Sequence, residues 1–210
     1  MVRHGLNSPG KRLGVVGLGG LGHVVIKLGK AFGMKVTVVS LSPGFVVISS
    51  DAEQMMVGAV LCLASQNVVV IRHEVFLTKT RHKILTSASN KVAVAVAGTM
   101  DGIIDTVSAW HPIAPLLALL KPMWQIVVLG ATSRALELPL AAVGVAGSLV
   151  GSVSECQAML DFAGQHGIGA EVEVIKIDYI RQRAALERLE KNDVRYRFVI
   201  DVAGSLGSAA

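Results

Sequence analysis

Cysteine is scarce: the chain has two, Cys62 and Cys156, far apart and outside any C-x-x-C pair. That spacing excludes a zinc ribbon or knuckle and gives a disulfide framework little support, so both thiols are expected to be buried. Aromatic residues make up 4% of the sequence and charged residues 17%, against 52% apolar. A chain this apolar folds rather than staying disordered. Long apolar runs are missing as well, since residues 55–64 and 138–151 both fall short of the roughly 20 residues a spanning helix needs. Residues 1–12 lack the apolar core of a signal peptide. A cytoplasmic protein with no membrane partner is therefore expected.

Excess charge is confined to one segment. Residues 57–95 hold Arg72, Lys79, Arg81, Lys83 and Lys91 against Glu74 alone, and so carry +4 of the net +5. The segment has one aromatic, Phe76, and lacks the interleaved rings on which bases stack, so no nucleic-acid partner is expected.

Glycine is abundant, 22 of 210 residues, and its placement carries the main signal. In GVVGLGGLGHV, residues 14–24, Gly17, Gly19 and Gly22 have the G-x-G-x-x-G spacing. They follow an apolar strand over residues 12–16 and open a helix over 21–32 whose buried face should be Leu21, Val24, Val25 and Leu28. Gly17 permits the tight turn, Gly19 lets backbone approach a diphosphate, and Gly22 lets the helix pack closely. The cofactor-binding candidates here are Gly17, Leu18, Gly19, Gly20, Leu21 and Gly22, whose amides and helix dipole favour negative charge. A second strand, residues 35–40, ends at Ser40, where an NAD site usually places a carboxylate to hold the ribose 2′-hydroxyl. With no acid there the phosphorylated cofactor, NADP(H), is favoured, although a cationic partner for its 2′-phosphate is missing too.

Four residues, 41–44, separate this strand from the next strand-like run, FVVIS at 45–49. Four residues make a hairpin and not a parallel crossover, which needs a dozen or more. Further strands are expected at 102–109, 125–130, 146–151, 171–177 and 195–202, and helices at 111–121, 154–166 and 180–191. The alternation predicts a single α/β domain over residues 1–210. It is a Rossmann-type, doubly wound, mostly parallel sheet of order 3-2-1-4-5-6 with a damaged connection from strand 2 to strand 3.

The blocks PGKRLGVVGLGGLGHV (9–24), KVTVVSLSP (35–43), AGTMDGIIDTVSA (97–109) and NDVRYRFVIDVAG (192–204) resemble the cofactor domain of plant-type cinnamyl alcohol dehydrogenases, which are zinc-dependent medium-chain dehydrogenases/reductases. The resemblance covers residues 1–56 and 96–210. It implies NADPH-dependent interconversion of cinnamyl aldehydes and alcohols in lignin formation, by a homodimer with zinc in each subunit. It also implies that Ser40 and Ser42 meet the 2′-phosphate, and that Thr106, Gly130, Ser148, Leu149 and Val150 line the nicotinamide half.

The zinc-binding cysteines and the Gly-His-Glu motif of that family are not in this sequence. No catalytic and no metal-binding residue is therefore assigned, and the chain alone is expected to bind cofactor without catalysing. Residues 57–95 interrupt a region the family runs straight through. They are expected to be a loop or loosely packed excursion arising from non-coding sequence or a splice or gene-model variant. The alternatives are a non-catalytic nucleotide-binding module, a dimer partner for a full-length relative, and a non-functional product. Asp105 and His111 are expected to be structural, and His23 to face either the cofactor or solvent.

Overall fold

The computed structural model describes residues 1–40, 68–72, 97–132, 134–138, 144–191 and 193–206. The main sheet is built from β1 (Arg12–Val16), β2 (Lys35–Ser40), β3 (Val68–Arg72), β4 (Gly102–Asp105), β5 (Ile126–Val128) and β6 (Val145–Gly147). Its order is β3-β2-β1-β4-β5-β6, the order expected. Every pairing is parallel. β1 is central and reads as a continuous apolar run because both faces are covered. Leu13 and Val15 enter a cluster with Ile26, Val36 and Val38, while Val16 joins Val39, Ile103, Ile113, Leu116 and Ile126 in a second. Fully burying each such side chain contributes about 1.5–3 kcal/mol.

The third strand corrects the sequence reading. FVVIS at 45–49 lies outside the described residues, and the partner of β2 is Val68–Arg72, inside the segment expected to be a loop. Its register runs from Val36 opposite Val68 to Ser40 opposite Arg72. The run VVVIR has the β-branched content of a buried strand, a signal outweighed by the basic residues around it.

Helix α1 spans Gly22–Ala31 and buries Gly22, His23, Ile26 and Gly29 most fully; of the leucine and valine face expected, Val25 packs half-buried against the first cluster and Leu21 is 52% exposed. Small residues win because the helix lies close on the sheet. A Cβ on Gly29 would stand 3.0 Å from Val36 Cγ2 and 3.2 Å from Leu13 Cδ2. The helix expected at 111–121 shortens to one turn, α2 (Ala114–Leu117), between Pro112 and Pro122.

Beyond β6, α3 (Val153–Gln165) begins with a capping box. Ser152 accepts from the Glu155 amide, and the Glu155 carboxylate accepts from the Ser152 amide. Ser152→Ala is expected to cost about 1 kcal/mol locally, read as faster amide exchange in the first turn of α3 with β1 and β4 unchanged. Glu155 also accepts from Arg3 Nη2 at 2.7 Å; that bond, with those from Ser152, pulls its carboxyl down to about 2. What this tie contributes is present above the ordinary carboxylate range and is lost as pH falls through about 2. Helix α3 buries none of its residues, so Cys156 is exposed rather than buried; Cys62 lies outside the described residues.

The last elements leave the main sheet. β7 (Glu173–Lys176) and β8 (Phe198–Asp201) pair in parallel with each other as a separate two-stranded sheet. The single helix expected at 180–191 is two, α4 (Ile177–Arg181) and α5 (Ala184–Glu190), broken where Arg183 takes a left-handed φ of 63°. A short α6 (Val202–Leu206) follows β8. Among the described residues no helix is long and apolar enough to cross a membrane.

Candidate dinucleotide-binding site

The carboxyl ends of β1 and β4 adjoin at the centre of the sheet, where the strand order reverses. In a doubly wound sheet that crevice is where ligands bind. The turn from β1 into α1 occupies it. Gly17 has φ 89°, and a Cβ there would meet Thr106 Oγ1 and Val107 Cγ2, both at 2.8 Å. A Cβ on Gly22 would stand 2.1 Å from the Gly17 carbonyl oxygen, so the first turn of α1 sits directly on the strand's exit. Gly19 differs: a Cβ there would meet nothing within 4 Å, which leaves its surface open for an approaching group. The amides of Gly19, Gly20, Leu21 and Gly22 find no backbone acceptor among the described residues. Leu18 packs against the first core cluster, while Leu21 is exposed.

The remaining candidates fall along the same edge. Thr106, just after β4, donates its hydroxyl to the Val16 carbonyl at 2.8 Å, tying the two central strand ends together. Gly130, just after β5, lets backbone pass closely, since a Cβ would lie 1.9 Å from Val107 O. Ser148 follows β6 and donates its amide to Val128 at 3.1 Å, and Leu149 and Val150 beyond it are 87% and 90% exposed. Ser40 closes β2; Ser42 lies outside the described residues. The register sets a basic residue, Arg72, level with Ser40 at the end of the neighbouring strand.

Three groups were undervalued in the sequence. His23 is 3% exposed, with Nδ1 2.8 Å from Gly19 O, so it faces the glycine turn and not solvent. Arg197 donates from Nη2 to Gly20 O at 3.1 Å, putting a guanidinium beside the turn from 177 positions away. Asp105 and His111, both buried, pair at 2.9 Å (Nε2 to Oδ2). His111 Nδ1 also faces the Ala109 carbonyl at 2.9 Å, so both ring nitrogens donate and the ring is the imidazolium. The hydrogen bond to Asp105 raises its pKa. This pair closes the loop 106–111 over the end of β4.

The match with known proteins follows the same edge. A probable cinnamyl alcohol dehydrogenase 8B of Oryza sativa subsp. japonica is 55% identical over 210 residues, covering 98% of this chain and 42% of its own length. The solved cinnamyl alcohol dehydrogenase of Sorghum bicolor superposes with a TM-score of 0.75 at 53% identity, over 98% of this chain and 52% of that one. The chain belongs to the cinnamyl alcohol dehydrogenase family. It spans about half the length of the family members it matches. The family model for the NAD-binding domain of D-isomer specific 2-hydroxyacid dehydrogenases matches residues 2–92. A Helicobacter pylori cinnamyl alcohol dehydrogenase complexed with NADP(H) shares the fold, with a TM-score of 0.63 at 22% identity over 97% of this chain and 51% of that one. Among the described residues no three His, Cys, Asp or Glu side chains converge as metal ligands, so they do not fit the zinc of that family.

Proposed function

We propose that the chain holds NADP(H) for a cinnamyl alcohol dehydrogenase-type oxidoreductase and does not catalyse on its own. The observation that carries this is the open face of Gly19 above amides that have no backbone acceptor among the described residues, at the sheet's switch point. When bound, the nicotinamide supplies or accepts hydride. This chain's residues do the positioning. The amides of Gly19–Gly22 meet the diphosphate, with Arg197 adding positive charge. Thr106, Gly130 and Ser148–Val150 line the nicotinamide half, and Ser40 and Ser42 take the 2′-phosphate.

Titration of the full chain with NADPH and NADH, followed by cofactor fluorescence, tests the reading. Saturable binding tighter for NADPH is expected, with no turnover of a cinnamyl aldehyde by the chain alone; equal weak binding of both cofactors, or none, overturns it.

Association is the second reading. Leu149, Val150 and Val153 are 87–90% exposed beside β6, the last strand of the sheet. An open edge flanked by an apolar patch favours pairing with another copy or a full-length relative. Sedimentation velocity across a concentration series should show a discrete dimer, and a broad distribution of sizes would mean aggregation instead.

A further inference from the structure

We propose that His23 is the positioning residue of the glycine turn, an imidazole that clasps the turn to residues 169–197. The inference rests on the dinucleotide reading for its consequence, but its geometry stands independently.

The ring makes one bond in each direction. Nδ1 lies 2.8 Å from the Gly19 carbonyl, which can only accept, and Nε2 lies 3.1 Å from the Glu171 amide, which can only donate. One proton on Nδ1 and one lone pair on Nε2 satisfy both, so the neutral Nδ1–H form is the one that fits. The Tyr196 ring stacks on the imidazole at 4.7 Å and 21°. Around this pair the same two segments are tied twice more. Arg197 holds Gly20 O at 3.1 Å, and Lys27, one turn along α1, holds Gly169 O at 2.8 Å and the Glu171 carboxylate at 2.6 Å.

The consequence for the turn is directional. With the carbonyls of Gly19 and Gly20 engaged by His23 and Arg197, the neighbouring amides are left for an anion. Loss of the imidazole would take from the Gly19 carbonyl its side-chain donor and from the Glu171 amide its acceptor, at a site 3% exposed. The turn and the segment that carries Glu171 would then loosen together.

The test compares, at pH 7.5, the full-length wild-type chain with His23→Gln, whose amide can donate to Gly19 and accept from Glu171, and with His23→Leu. NADH is the binding probe. The affinity of the Gln variant is expected to stay within about twofold of wild type, and the Leu variant should bind about tenfold more weakly, as a lost buried hydrogen bond dictates. Exchange of the Glu171 amide, measured without ligand, reads the clasp directly and should be fast in the Leu variant and near wild type in the Gln variant. Equal loss of affinity in the Gln and Leu variants, or an unchanged Glu171 amide in the Leu variant, overturns the proposal. A wild type that binds no dinucleotide at pH 7.5 yet shows the expected exchange pattern overturns the dinucleotide reading and leaves the clasp standing.

Discussion

Gly19→Val is expected to weaken dinucleotide binding by at least about 100-fold while leaving the thermal melt of the protein unchanged, because the new side chain enters the space through which backbone approaches the diphosphate. The fold tolerates it: a Cβ on Gly19 meets nothing within 4 Å. Gly22→Ala, three positions on, should do the opposite first. Its Cβ would stand 2.1 Å from the Gly17 carbonyl oxygen, which belongs to the backbone and cannot swing aside. The expected cost is about 1–3 kcal/mol of stability, with binding reduced as a consequence of the displaced turn. Cofactor fluorescence and calorimetric melting on the two variants separate the effects. A Gly19→Val protein that binds normally would remove the diphosphate from this turn.

Asp105→Ala is expected to destabilise the protein by about 3–5 kcal/mol, because it leaves the buried imidazolium of His111 without its counter-ion. Asp105 also accepts from the Val107 amide at 3.0 Å, so the same change frees the loop over β4. The pH dependence has a definite sign. The folded-state pKa of His111 is raised, so its contribution is fully present below the unfolded value of about 6.5 and is lost as pH rises through the folded value. Denaturant midpoints measured from pH 6 upward should therefore decline in wild type, and this component should be absent in His111→Gln. A wild-type midpoint that rises over the same range would show that the ring is neutral in the fold.

Most of the sheet was legible, and the reason is local. β1, β2, β4, β5 and β6 are short, mostly apolar or β-branched runs, and their order follows from the right-handed crossovers of the fold. β3 was misplaced because FVVIS and VVVIR present the same strand signal, and pattern alone does not choose between them; the register beside Val36–Ser40 does. The face of α1 was misjudged because glycine carries no hydrophobic weight, yet Gly22 and Gly29 are what allow close packing. In the site, the glycine turn was readable from spacing. His23 and Arg197 were not, since their roles depend on Glu171 and Gly20, brought beside them by the tertiary fold. The Asp105–His111 pair had a faint signal, six positions apart across the end of a strand.

The contact between Arg197 and the Gly20 carbonyl spans 177 positions. Translation at about 5–20 residues per second separates the synthesis of these two residues by roughly 10–35 seconds. During that interval β1, β2 and α1 can already have paired, while the Gly20 carbonyl of the glycine turn waits for its donor. Nascent chains stalled before residue 197 should therefore hold a formed strand pair and an unfinished nucleotide cradle, so the cofactor is best placed to engage late, after the sheet that displays it.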